Sequence, residues 1–303
     1  MKRLPALATT VLALSCLASV CLPARAALTE GKTYKNMPWH LADIWWSLPA
    51  ESVADDFQTL EVDVTIVGKL DDSLRLYIAP FGLGSLSGTK FYGGIQTHMA
   101  AQTKTNPNRQ NIGRGGIFSM WGERALDAIR TAEGGFMESS GHEGDFISIR
   151  RKLNWSQGTY TCRLEVAEQV TIDEKPYTWV RYSIHDHQTN RQLDCGSLRF
   201  PNHHLKLGKS VAGFVEIFGR KPDQHVIPQD LTITFSAPRV NGNTPAKPGC
   251  RAIYPKGVPD VVRATPATAS TPSATDTRAV VFTFSKDEFV REKRQHPLYQ
   301  PGK

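Results

Sequence analysis

Two short stretches bring chemistry-bearing residue types close together. In GHEGDF, residues 141–146, His142, Glu143 and Asp145 lie within four residues of a turn. A calcium site needs several oxygen ligands, and two local carboxylates supply only part of such a set. Glu143 and Asp145 are also the local candidates for acid–base work on a glycosidic bond, which requires two carboxyl groups facing one cleft. Glu165, Glu216 and Asp230 are further carboxylates that a fold might bring into that cleft, and the spacing pairs none of them. In IHDHQTN, residues 184–190, His185 and His187 would share one face of a strand, with His203 and His204 the nearest further imidazoles. The same stretch reads as a hairpin turn, where such rings are simply exposed, so no metal ion or other cofactor is expected. No G-x-S-x-G elbow is present for a serine nucleophile.

A different signal lies in FYGGIQ (91–96) and GRGGIFSMWG (113–122). Glycine inside a strand loses backbone entropy and offers no side chain to pack. Two adjacent strands with facing glycine pairs would leave a shallow trough over bare main chain. Tyr92, Gln96, Ser119 and Trp121 would line it and supply hydrogen bonds and flat rings to a ligand. The alternative is that the glycines permit a bulge, or let Phe91, Tyr92 and Phe118 pack across them. The polar connection THMAAQTKTNPNRQNI between the two stretches reads as a long hairpin loop. Trp39, Trp45 and Trp46, half of the six tryptophans, crowd into MPWHLADIWWSLP. They form either a platform for sugar rings or a plug closing one edge of the core.

The elements that must position these residues are strands. EVDVTIV puts Val62, Val64 and Ile66 on one face; YTCRLEV does the same for Tyr160, Cys162, Leu164 and Val166; TWVRYSI for Val180, Tyr182 and Ile184; LTITF for Leu231, Ile233 and Phe235. This period of two marks half-buried strands. Eleven or twelve such runs occur, separated by turn signals such as GKLDD, NWSQG and NGNTP. Helical patterns are few: GERALDAIRTAEGG is a short helix or a loop, and SKDEFVREKRQ opens on Ser285 as an N-cap for a terminal helical turn. The expected fold is all-β, an antiparallel β-sandwich of the lectin-like or jelly-roll type with few short helices.

The N-terminus reads as a secretory leader. Lys2 and Arg3 precede a long apolar run, and Ala24-Arg25-Ala26 supplies an A-x-A cleavage site after Ala26. The chain then divides into the leader (1–26), a sandwich domain (27–237), a Pro/Ala/Thr-rich loop or linker (238–278), and a terminal strand with a short helical tail (279–303). No later segment approaches transmembrane length, so the expected location is secreted or periplasmic. The 36 Lys and Arg against 29 Asp and Glu give +7, and loss of Lys2, Arg3 and Arg25 leaves 33 against 29, or +4. That mild, dispersed charge excludes a nucleic-acid binder in the usual sense. Cys162, Cys195 and Cys250 remain after cleavage. If the strands of Cys162 and Cys195 flank a middle strand, the two thiols stand about 10 Å apart, too far to bridge. If those strands are neighbours, a bridge is feasible. Cys250, in KPGCRAIYP, is expected to pair with one of them, since an exported chain meets oxidising conditions.

Tyr92, Gly94, Ile95 and Gln96, then Phe118, Ser119 and Trp121, then Glu143 and Gly144, then Trp155, Gly158 and Tyr160 together carry a resemblance. Over roughly residues 60 to 237 the chain resembles a family of exported bacterial proteins of unknown function that also includes the nematoblast-specific proteins. FVEIFG resembles a later strand of that family. The chain departs from the pattern at Asp145-Phe146, where the family more often has a small residue and a glycine. The resemblance implies an all-β, exported, glycan-associated domain and no particular catalytic residues. The functional expectation is non-catalytic recognition of a carbohydrate or cell-envelope polymer. The alternatives are a glycan-active enzyme using paired carboxylates and a structural module of the envelope.

Overall fold

Period-two alternation commits each strand to one buried face, and two sheets stacked face to face are the simplest way to bury many such faces at once. The computed structural model describes residues 32–49, 56–103, 106–141, 144–219, 227–245, 247–268, 271 and 278–301. The expected leader and its cleavage point after Ala26 lie outside them. The strands are β1 (Trp39–Ser47), β2 (Thr59–Val67), β3 (Leu76–Leu86), β4 (Thr89–Ala101), β5 (Gln110–Trp121), β6 (Ile129–Thr131), β7 (Phe136–Ser140), β8 (Phe146–Lys152) and β9 (Gly158–Ile172). There follow β10 (Lys175–Asp186), β11 (Arg191–Pro201), β12 (Ser210–Ile217), β13 (Thr232–Ser236), β14 (Arg239–Val240), β15 (Gly249–Ile253), β16 (Val262–Pro266), β17 (Ala279–Phe284) and β18 (Gln295–Tyr299).

They form an antiparallel β-sandwich. The first sheet runs β18-β15-β1-β12-β3-β4-β5-β8-β7 and the second β16-β17-β13-β2-β9-β10-β11-β6, with β14 pairing β2. Among the described residues the helical content is one 3-10 turn, Leu126–Ala128, and no helix is long and apolar enough to cross a membrane.

The alternating residues face inward as their spacing requires. Val62, Val64, Ile66, Cys162, Leu164, Val180, Tyr182, Ile184, Ile233 and Phe235 all join one core between the sheets. Trp39, Trp46, Trp155, Phe81, Phe118 and Phe200 fill the rest of that layer. Full burial of side chains of this size contributes about 1.5–3 kcal/mol apiece. Trp39 and Trp46 are therefore plug residues. Trp39 donates its indole N–H to Lys35 O at 2.6 Å, and Trp46 stacks on Tyr299 with centroids 6.0 Å apart. Trp45 points the other way, with the Arg251 guanidinium 5.9 Å from its ring.

Four expectations are corrected. The 238–278 region is not a plain loop or linker: β15 hydrogen-bonds to β1 in the first sheet, and β16 to β17 in the second. Its Pro/Thr-rich composition masks short strands, of which β15 has a partner distant in sequence. The tail has no helix between β17 and β18. Phe289 N–H instead bonds Asp260 O at 2.8 Å, and the Glu288 carboxylate accepts from the Tyr34 hydroxyl at 2.8 Å; these long-range partners outcompete a local turn. The connection after Gln96 is half strand, because β4 continues to Ala101 and β5 begins at Gln110. No disulfide forms among Cys162, Cys195 and Cys250, which are all free and buried. Strand β10 lies between those of Cys162 and Cys195, as in the meander geometry, and Cys250 sits on the other sheet. Burial pushes the Cys162 thiol up to about 12, relieved in part by a hydrogen bond with Tyr182.

Candidate functional site

The register of the first sheet gathers a row of side chains on its outer face, away from the core. His40 on β1 pairs with Glu216 on β12, Glu216 with Tyr77 on β3, Tyr77 with Gln96 on β4, and Gln96 with Gly115 on β5. The adjoining rows place Tyr92 opposite Ser119, Ser119 opposite Ser148, and Ser148 opposite Glu138. Tyr92, Gln96, Ser119 and Trp121, separated in sequence by up to thirty positions, thus share one surface by strand alternation alone. Tyr77, Ala79, Met99, Ile117 and Phe214 form a second, smaller hydrophobic cluster there, with Tyr92 packed against it.

Tyr92 and Trp121 make a half-buried ring pair, centroids 4.7 Å apart and planes at 42°. Tyr77 meets Phe214 edge-on at 5.2 Å. Two hydroxyls of this face, Tyr77 Oη and Ser119 Oγ, are buried without a hydrogen-bond partner. Such a group costs roughly 1–3 kcal/mol relative to a satisfied one, and burial pushes the Tyr77 phenol well up. The guanidinium of Arg150, 6% exposed, pairs with the Glu138 carboxylate, 1% exposed. Arg109 Nε lies 3.5 Å from the other oxygen of that carboxylate. Removing one member of a buried pair strands its partner, so this contact fixes the floor of the face.

His40 is held at both ring nitrogens, by Asp43 at 3.0 Å and Glu216 at 3.0 Å. A neutral imidazole has one N–H, so a ring clamped between two carboxylates is an imidazolium. Burial alone would lower its pKa, but the hydrogen bonds it donates to Asp43 and Glu216, together with their charges, raise it to about 10. Both carboxylates are thereby tied to His40.

The glycine pairs do not face each other. Gly93 and Gly94 pair with Phe118 and Ile117, while Gly115 and Gly116 pair with Gln96 and Ile95. A Cβ on Gly94 would lie 2.1 Å from Ile78 O, and one on Gly115 2.0 Å from Arg151 O. Those two glycines exist because neighbouring main chain comes too close for a side chain. Gly116 is needed for packing, since its Cβ would lie 2.5 Å from Ile184 Cδ1 and 2.9 Å from Cys195 Sγ of the second sheet. Tyr182 closes the same region by donating its hydroxyl to Gly94 O at 3.0 Å. The expected trough of facing glycines therefore does not form, and what the outer face presents is the ring pair, with Gln96 further along β4.

The other candidates fall elsewhere. His142 and Glu143 lie outside the described residues. Asp145 is exposed and pairs with Arg124 at 3.3 Å. Glu165, on the outer face of the second sheet, is held by Arg163 and Arg181, and Asp230 sits exposed before β13. Asp145, Glu165 and Asp230 do not meet Glu216. His185 and His187 touch edge-on at 4.7 Å, and His187 Nε2 lies 2.8 Å from Thr161 Oγ1. His203 instead lies at the opposite end of β9, 2.9 Å from Val170 O, and His204 lies 3.3 Å from Asp56. Among the described residues no three His, Cys, Asp or Glu converge to hold a metal ion. Trp155, Gly158 and Tyr160 have structural roles. The Trp155 indole donates to Gln96 O at 3.1 Å, Gly158 takes φ +141°, and the Tyr160 hydroxyl accepts from Ser156 N at 3.0 Å.

Sequence reasoning missed His40, Tyr77, Glu138 and Arg150. A weak signal existed for Tyr77 and Arg150, which alternate with Leu76 and Ile78, and with Ile147 and Ile149, and so had to face away from the core.

No sequence-family profile matches the chain, and no curated protein does. Among solved structures, the marine PL-14 alginate lyase from Aplysia kurodai is similar at a TM-score of 0.30 and 12% identity, covering 69% of this chain and 74% of that one. A likeness at that level supports no conclusion about the site.

Proposed function

We propose that the protein recognises a carbohydrate polymer, without transforming it, on the outer face of its first sheet. The observation that carries this reading is the half-buried Tyr92–Trp121 ring pair, with Gln96 on the same face further along β4. Rings of this kind cover the apolar faces of sugars, and an amide supplies both donors and acceptors to their hydroxyls. The leader in the sequence and the resemblance to exported, glycan-associated proteins point to a secreted or periplasmic protein meeting an envelope or extracellular polymer.

The test is a polysaccharide and glycan array probed with wild type, Trp121→Ala, Gln96→Ala and, as control, Arg181→Ala on the opposite sheet. Trp121→Ala should weaken binding by about tenfold or more, roughly 1.4 kcal/mol, while Arg181→Ala binds as wild type. Absence of wild-type binding across the array defeats the reading; equal binding by all variants defeats the site.

A second reading, acid–base catalysis on a glycan, is favoured by the presence of His40, Asp43, Glu216 and Tyr77 on the same face. Glu216→Gln would abolish any release of reducing ends by the wild-type protein. Against it, the double clamp on His40 occupies both carboxylates.

A further inference from the structure

The segment joining β17 to β18 crosses from one sheet to the other, and beneath it lies a cavity of about 380 Å³. It lies against Arg263, Ala264 and Thr265 of β16 in the second sheet and Tyr254 at the end of β15 in the first, and none of the side chains of the glycan face lines it. Its volume is near the lower end of small-molecule clefts, roughly 300–1,000 Å³, which suits one or two sugar-sized units rather than a polymer chain.

Its lining is basic and pre-organised. Arg291, only 6% exposed, lies with its guanidinium carbon 3.5 Å from the Tyr254 ring centroid. Its Nε bonds Asp260 Oδ1 at 2.7 Å. The same carboxylate oxygen takes Arg294 Nη1 at 2.5 Å, so one negative charge serves two guanidinium groups. The Arg263 guanidinium is held 4.3 Å from the centroid of Phe289. Arg263 and Lys293 both line the cavity, and among the described residues neither has a carboxylate within ion-pair distance. Glu292 is the single acid of the lining. The positive charge exceeds the negative, and the planar fork of a guanidinium matches an oxyanion edge-on. The aromatic faces are already covered by arginines, which leaves charge rather than ring stacking as the means of recognition. His296, stacked on Tyr254 at 5.7 Å, closes one side.

We propose that this cavity is a second binding site, separate from the glycan face, for a small molecule carrying a carboxylate, sulfate or phosphate group. Arg263 and Lys293 would contact the oxyanion, and Arg291, fixed by Asp260, would set the field behind it.

Calorimetric titration of the whole protein at low ionic strength tests this with four probes: D-glucuronate, glucose 6-phosphate, inorganic sulfate and neutral D-glucose. At least one anionic probe should bind, glucose should not, and the Arg263→Gln/Lys293→Gln double variant should lose at least tenfold in affinity. Binding of glucuronate or glucose 6-phosphate but not sulfate identifies an acidic sugar; binding of all three anions identifies a site for the oxyanion itself. Both substituted residues are exposed, so an unchanged thermal melt verifies the fold. Failure of every anionic probe to bind wild type, binding of glucose as tight as that of the anions, or undiminished affinity in the double variant overturns the proposal. Trp121→Ala leaves this cavity untouched, so failure here and failure on the sheet face are read separately.

Discussion

The two outer faces of the sandwich solve the same problem in opposite ways. On the second sheet, Arg163 bridges Glu61 and Glu165 at 2.6 and 3.1 Å, Arg181 takes Glu165 at 2.6 Å, and Arg239 reaches Glu61 and Asp63 at 3.1 and 2.7 Å. These charges alternate along and across β2, β9, β10 and β14, partly exposed and mutually satisfied, and among the described residues the one buried unpartnered polar side-chain atom on these strands is Trp179 Nε1. On the first sheet, the Arg150–Glu138 pair is buried, His40 is clamped between two carboxylates, and the hydroxyls of Tyr77 and Ser119 have no partner. A saturated, solvated ladder keeps a sheet face soluble and its strands in register. A face that buries polar groups and leaves some unsatisfied is costlier, and proteins carry that cost where they bind something.

The contrast can be broken most forcefully at Arg150. Arg150→Met should destabilise by about 3–5 kcal/mol, because Glu138 is left buried without its cation; urea denaturation measures it, and a loss below about 1 kcal/mol would make the two faces energetically alike. Next, Gly116→Ala should cost about 1–3 kcal/mol, since the new methyl meets Ile184 and Cys195 across the core. A neutral effect in thermal melts would mean the sheets can separate there.

His40 sharpens the comparison through pH. Its pKa is raised in the folded protein, so its contribution is fully present below the ordinary histidine value of about 6.5 and is lost as pH rises through about 10. The melting-temperature gap between wild type and His40→Gln should therefore be widest in mild acid and close toward pH 10. In an NMR titration His40 should stay protonated at neutral pH while His98, lowered by burial and by Arg75, is neutral. Asp63 on the other face has the opposite sign. Burial would raise it, but hydrogen bonds from Arg239 and Thr161 lower it, so its contribution is present above the ordinary aspartate range and disappears as pH falls through the lowered value.

Smaller still, Tyr77→Phe should leave stability unchanged or raise it by up to about 1 kcal/mol, because it deletes an unsatisfied buried hydroxyl. At the bottom of the scale, Arg181→Ala should cost about 0–1 kcal/mol and less at high salt.

Much of the sandwich was legible in the chain because alternation is a local property. EVDVTIV, YTCRLEV and TWVRYSI each determine which residues face inward, whatever strand lies beside them. Tyr92, Gln96, Ser119 and Trp121 could be singled out because they flank glycines that an ordinary strand would not carry. Their sharing one face then followed from parity on two hairpin-linked strands. The strands inside 238–278 were not legible, since both are short: β15 draws its stability from β1, far away in sequence, and β16 pairs with β17 only across the Pro/Thr-rich stretch.

The sequence by itself determined the period-two faces, the all-β class and the pairing of β4 with β5, because these depend on side-chain alternation and short connections. Tertiary structure alone decided that His40 meets Glu216, that Arg150 meets Glu138, and that Tyr77 stands beside Gln96. The first of those contacts joins strands remote in sequence and the other two join consecutive strands; in each, register is set by which hydrophobic faces pack together, a global free-energy balance that no local pattern encodes.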